Sequence, residues 1–211
     1  MGLRICVPLG ALFEGSVEVL AGAGVDVAPL RDAGRRLIVE SPTGTTFITT
    51  RPSDVPTYVE AGAADLGIVG KDVLRERSPD VYELLDLRFG GCRMVYATQA
   101  GEDPTAAALE HLGVVRVATK YPISATGYFT STGRQAEVVK VNGSVELAPL
   151  VGLAHGIVDL VATGRTLREN GLVEREQIFH SSARLIANRV SQTLRAEELD
   201  GLVQRMAQAR P

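Results

Sequence analysis

Ile157-Val158-Asp159-Leu160-Val161-Ala162-Thr163-Gly164-Arg165-Thr166-Leu167 changes its hydrophobic period partway along. Ile157 to Val161 is apolar apart from one carboxylate, the pattern of a short buried strand. Thr163, Gly164 and Thr166 are small or hydroxyl-bearing, and Leu167-Arg168-Glu169-Asn170 has a helical composition. A strand that turns through Gly and Thr into a helix is the building unit of an α/β fold. Such a turn leaves several backbone N–H groups without partners, and the helix dipole adds partial positive charge at the same point. A phosphate suits it. Asp159 stands near the carboxyl end of the strand, where open α/β sheets bind ligands, and its carboxylate suits sugar hydroxyls. The same residues equally describe a plain βα turn with an N-cap and a charged residue at its edge.

Outward from this loop the alternation continues. Helices are expected at 104–112, about 123–133 and 145–154, with strands at 114–119, 136–141 and 157–161, which implies a parallel sheet. Cys92–Thr98 reads as a strand that crosses into this second unit. Before it, Leu3–Val7 is a buried strand, Pro8-Leu9-Gly10-Ala11 a turn, and Leu12 to Ala23 a helix closing at Gly24. Leu37–Val39 and Thr46–Thr50 are strands joined through a hairpin-like turn at Thr43-Gly44. Asp54 caps a helix with Pro56 in its first turn and Gly62 at its end, and Leu66–Gly70 is a short buried strand leading to Lys71-Asp72. After the loop, Ala183–Asn188 looks like a strand, and Leu199, Leu202, Val203 and Met206 mark one face of a final helix. No repeat and no Gly/Ser linker divides the chain, so its halves read as two lobes that exchange strands.

Composition narrows the function. A net charge of −3 argues against a broad nucleic-acid surface, and no apolar run approaches the ~18 residues of a membrane span. Cys6 and Cys92 form no C-x-x-C pair, and no basic, apolar leader precedes the first strand, so a reducing, cytoplasmic setting is expected. No Walker A loop and no G-x-G-x-x-G follows a strand. His111, His155 and His180 lack metal-ligand spacing, Cys92 has nothing beside it to lower its pKa, and Ser181-Ser182 lacks a nucleophile elbow. What remains is a set of carboxylates, cations and Gly/Thr turns at strand ends. It is equipment for positioning a phosphorylated, hydroxylated ligand rather than attacking one.

Four further stretches then carry a resemblance. Arg51-Pro52-Ser53-Asp54-Val55-Pro56-Thr57-Tyr58-Val59-Glu60, Gly67-Ile68-Val69-Gly70-Lys71-Asp72, Val117-Ala118-Thr119-Lys120-Tyr121-Pro122 and Gly143-Ser144-Val145-Glu146-Leu147-Ala148-Pro149 resemble the ATP phosphoribosyltransferase family, in the family's order. The loop from Asp159 to Leu167 resembles its phosphoribosyl-pyrophosphate loop. The resemblance runs from Leu3 to about Arg189. It implies transfer of the phosphoribosyl group from phosphoribosyl pyrophosphate to N1 of ATP, with Mg²⁺ bound to the departing pyrophosphate. It implies a two-lobed α/β fold resembling a type II periplasmic binding protein. Residues 1–90 with about 179–211 would form the first lobe, and 91–178 the second. Glu146 and Asp159 would hold the ribose hydroxyls, and Ala162, Thr163, Gly164, Arg165 and Thr166 the 5-phosphate. Arg35, Arg51 and Lys71 would serve the pyrophosphate or ATP phosphates, and Asp72 and Tyr121 the nucleotide, with no metal ligand among the protein's residues.

The chain stops after one C-terminal helix, so it resembles the family's short form. That form lacks a histidine-binding domain, is expected to dimerise, and works with a regulatory subunit similar to histidyl-tRNA synthetase. One departure stands out. The family usually has Lys or Arg on either side of the glycine after the first strand, where this chain has Leu9-Gly10-Ala11. A non-catalytic ligand-binding or nucleotide-sensing module of the same fold therefore stays open as the alternative.

Overall fold

A computed structural model describes residues 2–210 of the chain. The outermost positions of the expected first lobe, 1 and 211, lie outside the described residues. In chain order the strands are β1 (Arg4–Pro8), β2 (Ile38–Glu40), β3 (Thr46–Thr50), β4 (Leu66–Gly70), β5 (Tyr82–Asp86) and β6 (Cys92–Gln99). They continue with β7 (Val115–Thr119), β8 (Ala136–Lys140), β9 (Gly156–Val161), β10 (Leu172–Ser181) and β11 (Ala183–Ala187). The helices are α1 (Phe13–Gly22), α2 (Ala28–Arg31), α3 (Val55–Glu60), α4 (Lys71–Arg77) and α5 (Pro104–Leu112). After these come α6 (Pro122–Ser131), α7 (Leu147–Leu150), α8 (Arg165–Glu169), α9 (Arg189–Leu194) and α10 (Ala196–Ala209).

The chain forms two compact units, Met1–Gly91 with Ser182–Pro211, and Cys92–Ser181. The first holds a six-stranded sheet in the order β2-β3-β1-β4-β11-β5. Its centre is parallel, with Arg4 opposite Thr46 and Pro8 opposite Thr50, while β11 runs antiparallel between β4 and β5. All five residues of β4 are buried, which explains its unbroken apolar run. Ile5, Val7, Leu20, Phe47, Leu66 and Leu185 lie fully inside, and Leu199, Leu202 and Met206 of α10 close the same core.

The second unit holds the sheet β10-β6-β9-β7-β8. β7 pairs in parallel with β8 and with β9, as the alternation implies, whereas β6 and β10 add an antiparallel side. α5 begins at Asp103, whose side chain accepts from the Thr105 N–H, and ends at Gly113 in the left-handed region. The helix expected over 145–154 is only the single turn α7, because Gly152 takes φ of 73° and ends it. β5 and β10 were not anticipated. Each is an edge strand, and β10 runs in blocks, Leu172-Val173 apolar, Glu174 to Gln177 polar and Ile178-Phe179 apolar, across two register shifts, so no period of two shows in its sequence.

Candidate functional site

β7, β8 and β9 run parallel, so Lys120–Tyr121, the residues after Lys140, and Ala162–Thr166 all leave the sheet at its carboxyl edge. Three anchors fix that edge. Val161 and Leu167 are buried on either side of the exposed loop residues Ala162, Thr163, Arg165 and Thr166. Val145 and Ala148 are buried on either side of Glu146. Before them Ser144 takes a left-handed backbone, φ 44°, a conformation that costs a residue with a side chain and gathers at functional sites. Glu146, Asp159, Leu160 and Val161 to Leu167 together line one cavity of about 260 Å³. Seven sequence-assigned residues, Glu146, Asp159, Ala162, Thr163, Gly164, Arg165 and Thr166, are therefore brought together.

Gly164 takes φ of 73° immediately before α8, a conformation that a side chain would strain. A Cβ there would also lie 3.1 Å from Arg168 Nη1. The carbonyls of this loop are engaged from outside the cavity lining. Arg93 Nη1 donates to the Ala162 carbonyl at 3.2 Å, and Arg168 Nη1 to the Thr163 carbonyl at 3.3 Å. The first-turn amides of α8 have no carbonyl within the helix to bond.

Asp159 is half-buried, and burial pushes its carboxyl pKa up. The Leu160 N–H and the charge of Lys120 pull it down in part, and the Glu146 carboxylate adds to the rise. A ligand that donates two hydroxyls to this pair of carboxylates would relieve both the desolvation and the repulsion. Lys120 was overlooked in the sequence. It follows Thr119, which pairs with Val158, so it comes out beside Asp159. Arg93 and Arg168 were overlooked too. Arg93 is opposite Val161 in the antiparallel β6–β9 pair, a neighbour that only the register reveals.

Tyr121 stands at the N-terminus of α6 with its N–H donating to Thr119 Oγ1 at 2.8 Å, and its ring is partly packed against the core of the second unit.

The other assigned residues belong to the first unit. Arg51 follows β3, and Lys71 and Asp72 follow β4, so they share the carboxyl edge of that sheet with the Leu9–Ala11 turn. The Leu9 N–H donates to the Thr50 carbonyl at 2.8 Å, which places Arg51 beside the turn that lacks the family's cations. Arg35 and Arg51 are exposed and pair with none of the described residues. Arg36, by contrast, is tied to the Asp32 and Ala33 carbonyls behind α2. Lys71 is ion-paired to Glu83. Asp72 is 8% exposed, and its Oδ1 lies 2.2 Å from where a Cβ on Gly70 would stand, so it folds back over its own strand. His155 accepts the Arg116 N–H through Nδ1, a structural use of a histidine.

The comparisons with known proteins agree along the whole chain. The profile of the family described as HisG: ATP phosphoribosyltransferase matches residues 51–208. A relative named ATP phosphoribosyltransferase from Rubrobacter xylanophilus is 56% identical over 203 residues, which are 96% of this chain and 94% of that one. The ATP phosphoribosyl transferase (HisG:HisZ) complex from Thermotoga maritima contains a chain of the same fold, with TM-score 0.82 and 31% identity over 98% of both chains. The periplasmic aliphatic sulphonate binding protein SsuA from Escherichia coli, 14% identical, covers 99% of this chain and 72% of its own with TM-score 0.62, and shows the two-lobed binding-protein fold alone. With its glycine- and threonine-lined cavity and these matches, the chain belongs to the ATP phosphoribosyltransferase family, the pentosyltransferases of the first step of histidine biosynthesis.

Proposed function

We propose that the cavity of the second unit holds the ribose 5-phosphate part of phosphoribosyl pyrophosphate while N1 of ATP displaces pyrophosphate from C1. The observation that carries this reading is one cavity lined by two carboxylates and a Gly/Thr loop together. Its volume lies below the roughly 300–1,000 Å³ of sites for drug-sized ligands, which suits a sugar phosphate. Asp159 and Glu146 accept the ribose hydroxyls. The amides of Thr163, Gly164 and Arg165 with the hydroxyls of Thr163 and Thr166 hold the phosphate. C1 gains positive character as the bond to pyrophosphate lengthens, and the two carboxylates lie on the sugar's side to stabilise it.

Arg51 and Arg35 are the cations assigned to the phosphates that leave or arrive, because their charges are uncommitted among the described residues. Lys71 contributes more weakly, since Glu83 already neutralises it. Tyr121 is assigned to the nucleotide. Asp72 serves there only by way of its strand end, being buried. Mg²⁺ enters as part of the substrate, bound to the phosphates of phosphoribosyl pyrophosphate. It neutralises the pyrophosphate as it departs.

Assembly follows the same reading. Leu147, Leu150, Val151 and Leu153 are 43–64% exposed on and after α7, an apolar patch that suits burial against another chain. A homodimer fits it, and so does a HisZ-type regulatory subunit, the partner present in the Thermotoga maritima complex. Both cysteines are free, which suits work in the reducing cytoplasm, and among the described residues no helix is long and apolar enough to cross a membrane.

The test is direct. Purified chain is mixed with ATP, phosphoribosyl pyrophosphate and Mg²⁺, with and without a HisZ-type subunit, and phosphoribosyl-ATP is followed by its ultraviolet absorbance. Product under either condition is expected. Tight binding of the sugar pyrophosphate with no product under both conditions would leave a sensing module instead.

A further inference from the structure

The guanidinium of Arg93 is held on one side and used on the other. Glu174 of β10 takes Nε at 3.0 and 2.9 Å and Nη2 at 2.7 Å, which leaves Nη1 to donate to the Ala162 carbonyl. The pair is 28% and 29% exposed, so as an ion pair it adds little to stability. Its charge is also spent on Glu174, so Arg93 offers no bare cation to a substrate. What it does fix is direction.

In a trans peptide the C=O and the following N–H point opposite ways, and no described peptide is cis. An Ala162 carbonyl turned toward Arg93 therefore turns the Thr163 N–H away from it. Arg168 does the same one peptide later, turning the Gly164 N–H away from the Thr163 carbonyl's partner. Two consecutive amides thus face away from two guanidiniums, and Gly164 between them and the helix is left-handed, the kind of backbone that occurs in anion-binding loops. Thr163 and Gly164, which carry these amides, line the cavity.

We propose that Arg93, clamped by Glu174, is a positioning residue that sets the peptide orientation of the phosphate loop. This rests on the reading of the cavity as the ribose 5-phosphate site. Without the donor, the Ala162–Thr163 peptide is free to rotate, and one oriented amide is lost to the ligand before binding. The loss falls on the sugar pyrophosphate alone.

The test uses the full chain with its Arg93→Met, Arg93→Lys and Glu174→Gln variants. Binding of phosphoribosyl pyrophosphate with Mg²⁺ is measured by calorimetry, and KM is measured separately for each substrate. Arg93→Met is expected to raise Kd and KM for the sugar pyrophosphate about tenfold, the size of one charge-assisted hydrogen bond. The KM for ATP and the melting temperature should stay near wild type. Arg93→Lys should recover part of the loss, because an ammonium still reaches the carbonyl. Glu174→Gln should give a smaller rise of about threefold, through a loosened Arg93. It also serves as the second variant if Arg93→Met fails to fold.

Unchanged sugar pyrophosphate affinity in Arg93→Met, with wild type binding normally, overturns the positioning role and leaves the site reading intact. Equal loss of both substrates with a lowered melting temperature overturns it as well, showing a purely structural pair. Wild type that binds no phosphoribosyl pyrophosphate overturns the site reading and this proposal with it.

Discussion

Replacing Asp159 with Asn should make the free protein more stable and the enzyme worse. Burial raises the Asp159 pKa in the folded chain, so the folded state binds this proton more tightly than the unfolded one does. Stability therefore falls as pH rises through the unfolded and then the folded value, and the loss is complete once the carboxyl has ionised in both states. An amide of the same shape removes that loss and the repulsion with Glu146. Each kcal/mol recovered raises the melting temperature by about 2–4 °C for a chain of this size. The gain should vanish near pH 3, where the carboxyl is protonated in both states. Catalysis moves the other way. A hydrogen bond to a charged partner is worth about 1.5–3 kcal/mol, and Asp159 is assigned ribose hydroxyls. Asn keeps one neutral acceptor, so kcat/KM should drop about 10–10²-fold, and Asp159→Ala further, about 10²–10⁴-fold if two such bonds are lost. Differential scanning fluorimetry from pH 3 to 8 and steady-state kinetics check both halves. A variant that melts lower at pH 7 and turns over normally would refute the reasoning, since neither the strain nor the sugar contact could then lie at Asp159.

Installing the missing cations with Leu9→Lys and Ala11→Arg should raise kcat more than it tightens substrate binding, by about 10-fold or more, if charge at the departing pyrophosphate limits the rate. No gain in kcat would show that charge at the departing pyrophosphate does not limit the rate. Gly15→Ala should destabilise by about 1–3 kcal/mol through overpacking, because the added Cβ would lie 2.4 Å from the Phe89 ring. Chemical denaturation measures it, and a neutral result would mean that the ring moves freely. Alkaline stability should decline from about pH 9. Burial lifts the Cys6 thiol from 9.0 to about 12 and the Tyr96 hydroxyl from 10.0 to about 12, so the folded state keeps protons that the unfolded state releases. Each group then costs about 1.4 kcal/mol per pH step over its window. A flat melting temperature from pH 8.5 to 11 would contradict this.

Local patterns were legible where neighbours in sequence are also neighbours in space. Thr46–Thr50 reads as a strand from its β-branched residues, and Asp103 and Gly113 bracket α5. The Gly/Thr loop of the cavity is legible for the same reason, since Asp159 to Leu167 is one continuous strand, turn and helix. Glu146 reached the same cavity through a resemblance and not through periodicity. Arg93 and Lys120 were missed because sheet register brings them there: Arg93 across an antiparallel pair, Lys120 along a parallel one. Register depends on which strands pair, and no local window contains that. β10 was missed because its polar residues serve Arg93 and Arg134 through Glu174 and Glu176, which breaks the apolar alternation.

The interrupted first unit has a consequence for how the chain is made. β5 has only β11 as its sheet neighbour, and β11 also covers the open side of β4. On a ribosome, β5 emerges roughly 100 residues before its partner, a wait of about 5–20 s at ordinary elongation rates. During that interval the contiguous second unit, Cys92–Ser181, is completed in full. The later-starting unit is therefore the earlier to finish, and a chain arrested before Ala183 carries an unpaired β4 edge open to aggregation or chaperones.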